Sequence, residues 1–249
     1  MGCIRAKGIV IRTAETGEAD KYITLFSEEL GKISVYAKGT KRSRSRSVAS
    51  SQILCYCDFI LFHYKERYTL NDAEIIESFY PLRNDIVRLT YAAHFIDLVN
   101  DVIQENLPMP RLLKLLLNSL YMLTKPERDP GAISVVFEIK TLCLLGYSPQ
   151  VDRCTICGCT SIDDPSFSFT YCGCICSSQV CSSSDPYAFH MRGDTALALR
   201  QIVNSNMADV FKFGFSANVL EELKWISKQY LRERLEKDYT KLNFLKRIE

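Results

Sequence analysis

The sequence predicts an α+β chain of more than one domain: a small antiparallel β-barrel, then an α-helical domain into which a cysteine-rich segment is inserted. Two observations predict it. The apolar pattern alternates with a period of two through roughly the first third of the chain and shifts to about 3.6 from Pro81 onward. Seven of the eleven cysteines fall between Cys154 and Cys181.

The first third carries short β-branched and aromatic runs separated by turn residues. They are Ile4 to Thr13, Lys21 to Phe26, Lys32 to Tyr36, Ile53 to Tyr64, and a final run ending near Phe79. Gly17 and Gly31 stand where turns are expected, and strands at this spacing suggest a small antiparallel barrel. Gly39 opens a polar loop running to Ser47. Beyond Pro81, helical faces are drawn by Ile86, Leu89, Ala93, Ile96 and Val99, then by Leu112, Leu115, Leu116 and Leu120. Pro108 and Pro110 separate these two helices; Pro126 and Pro130 precede a third that runs to about Leu145, with Gly146 as its stop. Helical patterning resumes near Gly193, and its last clear stretch runs from about Ala217 to Lys237. The division expected is therefore 1–80 for the barrel and 81–249 for the helical domain, with the insertion at about 150–186.

Composition narrows the class. At 249 residues and 47% hydrophobic content the chain is long enough for one large core or two modest ones. The formal net charge of +2 points to no partner, so a charged site has to come from local clustering. Residues 1–25 lack the apolar run and small-residue cleavage site of a secretory signal, and no stretch approaches the roughly 18 unbroken apolar residues of a membrane span. An intracellular protein, away from membranes, is expected.

In a reducing compartment a local cluster of cysteines reads as metal binding before it reads as disulfides. Cys154-x2-Cys157 followed by Gly158 suits a tight knuckle whose backbone N–H groups point at thiolate sulfurs. Cys176 follows after 18 residues and Cys181 after four more. Zinc held by four cysteines usually takes two close pairs on two loops, because each pair spans one edge of the tetrahedron. The first pair fits; the second has four intervening residues instead of two, and Cys172 and Cys174 stand near enough to compete. The expected metal ligands are Cys154, Cys157, Cys176 and Cys181, the expected ion is a structural Zn2+, and its role is to fold a segment with too few large apolar residues to fold alone.

Between Glu29 and Asp58 there is no acidic residue but six basic ones: Lys32, Lys38, Lys41, Arg42, Arg44 and Arg46. Such a one-signed run in a barrel loop suits the tracking of a phosphate backbone, and Tyr22, Phe26 and Tyr36 offer stacking surfaces beside it. The charges of the last helix and tail, among them Lys224, Lys228, Arg232 and Arg234 with Glu221, Glu222 and Glu233, are mixed in sign and read as a solvated, ion-paired face. The sequence holds no phosphate-binding G-x-x-x-x-G-K-[ST], no G-x-G-x-x-G, no H-E-x-x-H and no G-x-S-x-G, and its three histidines fall in different segments. No enzyme is expected, and no catalytic residue is assigned.

Several of these segments resemble the bacterial recombination mediator family RecO. The resemblance is carried by Gly8-Ile9-Val10-Ile11-Arg12, then Gly17-Glu18-Ala19-Asp20 and Leu25-Phe26-Ser27 through Gly31 to Ala37-Lys38-Gly39. It continues at Leu145-Gly146-Tyr147-Ser148-Pro149, at Cys154-x2-Cys157-Gly158 and at Phe167-Ser168-Phe169. It implies that the barrel is an OB-fold and that the cysteine insertion is zinc-ribbon-like. It also implies a function in DNA repair and recombination: binding single- and double-stranded DNA, annealing complementary strands and, with RecR, helping RecA load onto DNA coated by single-strand-binding protein. The DNA contacts implied are Lys38, Lys41, Arg42, Arg44 and Arg46. Cys154, Cys157 and Cys176 match the family's ligand positions; the fourth falls at Gln179, which offers no thiolate, so either Cys181 takes its place or the site is altered or lost. Cys172 stands where the family more often has Gly. A cytoplasmic, nucleoid-associated bacterial protein is implied. The rival readings are a zinc-ribbon interaction scaffold and an RNA-binding OB-fold factor.

Overall fold

The computed structural model describes residues 2–39, 47–161, 164–212 and 214–247. It divides into two compact units, Met1–Thr124 and Lys125–Glu249.

The first unit is built on a closed barrel of strand order β1-β2-β3-β5-β4. Its strands are β1 (Gly2–Thr16), β2 (Asp20–Ser27), β3 (Gly31–Ala37), β4 (Tyr56–Tyr64) and β5 (Arg67–Glu77), with the single turn of α1 (Ser47–Ser50) between β3 and β4. All pairings are antiparallel except β3 with β5, where Val35 pairs with Tyr68 and Tyr36 with Thr69. This is the OB-fold. Alternate residues point inward, so Val10, Ile23, Leu25, Ile33, Val35, Phe59 and Leu61 fill the interior. Strand β1 is long because it serves two partners: Gly8 pairs with Ser27 of β2 and with Cys57 of β4, and a bulge between Val10 and Arg12 bends the strand around. A Cβ on Gly8 would lie 2.9 Å from the Phe26 carbonyl oxygen, so only glycine allows this approach. The run expected to begin at Ile53 enters strand only at Tyr56; Gln52 to Cys55 form a turn in which the Cys55 N–H donates to the Gln52 carbonyl.

Two helices complete this unit. Asp85 caps α2 (Ile86–Val102) by accepting from the N–H groups of Val87 and Arg88, and Pro110 opens α3 (Pro110–Leu123). Lys32 Nζ donates to the Asn100 carbonyl at 2.9 Å at the end of α2. Gly31, at φ 69°, lies against the backbone of Leu107, where no other residue fits. The compact unit thus reaches to Thr124, beyond the last barrel strand.

In the second unit α4 (Pro130–Leu144), α6 (Gly193–Asn204) and α7 (Ala217–Leu235) pack together. Asp129 caps α4, which buries Ile133, Val136, Phe137 and Ile139. The buried Lys140 Nζ donates to the carbonyls of Val203 and Ser205, satisfying the last turn of α6. Between α4 and α6 lies the cysteine segment: β6 (Ser166–Ser168), β7 (Gly173–Ile175), the short helix α5 (Gln179–Ser184) and β8 (Phe189–His190), with sheet order β7-β6-β8. The mixed charges of the last helix form exposed pairs, Lys224 with Glu221 at 3.1 Å and Arg232 with Asp238 at 3.7 Å, each worth at most about 1 kcal/mol.

Candidate metal centre and nucleic-acid face

Cys154, Cys157, Cys176 and Cys181 meet. Their sulfurs all lie within 4.8 Å of one another, the only such ligand group among the described residues. The Cys154–Cys181 and Cys157–Cys176 sulfur pairs are each 3.7 Å apart. A tetrahedron with metal–sulfur bonds of about 2.3 Å has edges of about 3.8 Å, so the donor set fits one Zn2+.

Local structure explains each position. The first knuckle closes through the Gly158 N–H to the Cys154 carbonyl at 3.0 Å, with Gly158 at φ 76°. The Cys176 N–H points at Cys154 Sγ, 3.4 Å away. Burial raises the Cys154 thiol, but N–H groups of Cys157, Cys176 and Ile156 outweigh it and hold the thiol below its ordinary value. The Ser178 hydroxyl, 3.3 Å from Cys176 Sγ, together with the Ser178 N–H brings Cys176 down to about 6. Cys181 also feels Ser178 but is pushed up to about 12 by burial and by the neighbouring thiols. Four thiolates this close repel one another, and a divalent cation relieves that repulsion.

The long second spacing is absorbed by a turn of helix. Ser178 starts α5, and the helix carries Cys181 inward to complete the group while Gln179 sits at its first position. Cys174 is buried in β7, its thiol pushed up to about 12, and Cys172 packs its sulfur near the carbonyls of Phe169 and Thr170. Neither is in the group of four. Sequence reasoning overlooked Cys159: its carbonyl accepts from the Cys154 N–H at 2.8 Å, its side chain packs against the cluster, and the Cys157 thiol pushes its own up to about 12. The C-x-C spacing of Cys157 and Cys159 was the available signal.

On the barrel, Lys38 is exposed just past β3. Lys41, Arg42, Arg44 and Arg46 lie outside the described residues. Lys32 is drawn away, with Nζ 3.8 Å from Glu105 besides its bond to Asn100. Of the three aromatic residues expected to offer stacking surfaces, Phe26 is fully buried and cannot. Tyr22 is 47% exposed and stands 5.4 Å from the Tyr36 ring. Asp20, also overlooked as a working residue, accepts from the Tyr36 hydroxyl and, at 2.7 Å, from the Gly39 N–H.

By fold and site, the chain is a two-unit OB-fold protein whose second, helical unit carries a segment with a four-cysteine cluster. Comparison with known proteins takes this further. The family model described as Recombination protein O N terminal matches residues 1–79, and that described as Recombination protein O C terminal matches residues 83–243. The chain belongs to the RecO family. It is 51% identical over 249 residues to the DNA repair protein RecO of Acetivibrio thermocellus, covering 100% of this chain and 98% of that protein. It is 33% identical over 248 residues to the DNA repair protein RecO of Caldicellulosiruptor saccharolyticus, covering 100% of both. To that of Alkaliphilus metalliredigens it is 32% identical over 246 residues, covering 98% and 99%.

Proposed function

We propose that the chain is a non-enzymatic recombination mediator in DNA repair, binding single- and double-stranded DNA through the barrel and annealing complementary strands. The observation that carries this is the full-length likeness to proteins named DNA repair protein RecO, on a chain whose first unit is an OB-fold. With RecR it helps load RecA onto strands coated by single-strand-binding protein, in the cytoplasm at the nucleoid. No helix among the described residues is long and apolar enough to cross a membrane. Lys38, Lys41, Arg42, Arg44 and Arg46 contact phosphates, and residues 1–80 form the DNA-binding domain. In the helical domain, 81–249, the insertion at about 150–186 holds a structural Zn2+ on Cys154, Cys157, Cys176 and Cys181.

Binding here is electrostatic, so affinity falls with salt in proportion to the phosphates neutralised. Replacing Lys41, Arg42, Arg44 and Arg46 together with Ala is expected to weaken binding and flatten the salt dependence. The deciding experiment is a salt series with single-stranded DNA, duplex and RNA, followed by annealing of complementary oligonucleotides. An absence of annealing at low salt overturns the proposal. Tight binding of RNA alone would favour an RNA-binding factor, and no nucleic-acid binding at all an interaction scaffold.

A further inference from the structure

We propose that Tyr22 and Tyr36 form a base-stacking platform for single-stranded DNA on the outer face of the barrel, and that Asp20 is the positioning residue that holds it. The inference rests on the DNA-binding reading above and assigns its base contacts.

Strand register places the rings. Tyr22 of β2 pairs with Tyr36 of β3, Tyr36 pairs with Thr69 of β5, and Thr69 with Phe62 of β4. These residues form one row across neighbouring strands. Their strand neighbours Ile23, Val35, Leu61 and Leu70 belong to or pack on the interior, so the row lies on the outside. Tyr22 is about half exposed and Tyr36 partly so; the two rings are inclined at 54°. A single exposed tyrosine is ordinary on a protein surface, but two adjoining rings of which one is tethered by its tip are a shaped surface.

Asp20 provides the tether. One carboxylate oxygen accepts from the Tyr36 hydroxyl and the other from the Gly39 N–H, so one side chain fixes both the ring and the backbone just beyond β3. The hydrogen bond to Asp20 raises the Tyr36 pKa, in keeping with the hydroxyl as the donor. The cations around the row suit phosphate. Arg12, exposed, pairs with Thr24 two residues along β2 from Tyr22, and exposed Lys38 follows two residues after Tyr36. Exposed Arg67 pairs with Tyr64, over whose ring Lys65 sits at 5.6 Å. Flat π faces bordered by cations match a strand whose bases are unstacked and open; in a duplex those faces are hidden.

The test uses the full-length protein and fluorescently labelled oligo(dT), an abasic strand of equal length and a duplex. Tyr22→Ala and Tyr36→Ala are each expected to weaken oligo(dT) binding roughly tenfold, with the salt slope unchanged and little loss on the abasic strand or duplex. Tyr22→Trp should restore affinity. Asp20→Ala should weaken oligo(dT) binding severalfold, again at constant slope, while Asp20→Asn, which keeps one acceptor, loses less. Melting curves separate these losses from unfolding. Equal losses on oligo(dT) and the abasic strand, or no loss on either, overturn the platform while leaving salt-dependent DNA binding intact. A wild-type protein that binds no DNA overturns both readings.

Discussion

The barrel and the cysteine segment are built on different buried clusters, one apolar and one rich in sulfur. The barrel surrounds an interior of fully buried side chains, among them Phe59, Leu25, Ile23 and Leu61. Its strands run 7 to 15 residues. The cysteine segment has strands of three, three and two residues, and the buried cluster at its centre is Cys154, Ile175, Cys176 and Cys181. Three of those four residues are the proposed ligands. Burial of apolar area therefore stabilises the first region; the second buries Phe167 and Met191 as well, and the proposed metal would add a cross-link through sulfur at its centre.

The sharpest way to break this comparison is to remove the metal. Chelation of protein loaded with one Zn2+ per chain is expected to expose residues 150–186 to protease and leave the barrel folded, as read by limited proteolysis with mass mapping. The effect should be the largest of all, since structural zinc in small modules contributes about 10–16 kcal/mol. Cys154→Ser or Cys181→Ser should reproduce it by losing metal in elemental analysis, whereas Cys172→Ser and Cys174→Ser should retain one equivalent. An unchanged protease pattern would mean that apolar packing suffices in both regions.

Truncating the barrel interior tests the other side. Phe59→Ala is expected to cost about 3–5 kcal/mol in denaturant unfolding without altering metal content. Gly8→Ala, which sets a methyl group against the Phe26 carbonyl, should cost about 1–3 kcal/mol by the same measurement. Cys159→Ser is the smallest change: below about 0.5 kcal/mol with full metal content, if the cluster needs only four sulfurs. Loss of metal in that variant would make Cys159 a ligand and redraw the site.

Much of the first region was legible because a barrel strand writes its burial into the sequence every second residue. Gly31 marked its turn, and the strand runs fell close to their observed bounds except at Ile53, where an apolar run turned out to be a tight turn leading into β4. Phe26 misled for the same reason that alternation helps: period two shows which side a residue faces, not whether something covers that side. In the second region the knuckle was legible from Cys154, Cys157 and Gly158 alone. Cys181 was named as the fourth of the group, but what brings it there was not legible, because counting residues between ligands assumes a loop, and a turn of helix changes the distance that those residues span.

By itself, then, the sequence determined the order of barrel, helices and cysteine segment, the first cysteine pair and the concentration of positive charge after β3, since periodicity, spacing and charge are local properties. The tertiary structure decided that α5 brings Cys181 to the other three sulfurs, that Cys172 and Cys174 stay out, that Lys32 turns toward the end of α2, and that Asp20 binds both Tyr36 and Gly39. Each of these depends on which strands and helices become neighbours, and that follows from the packing of the whole unit and not from any one stretch of chain.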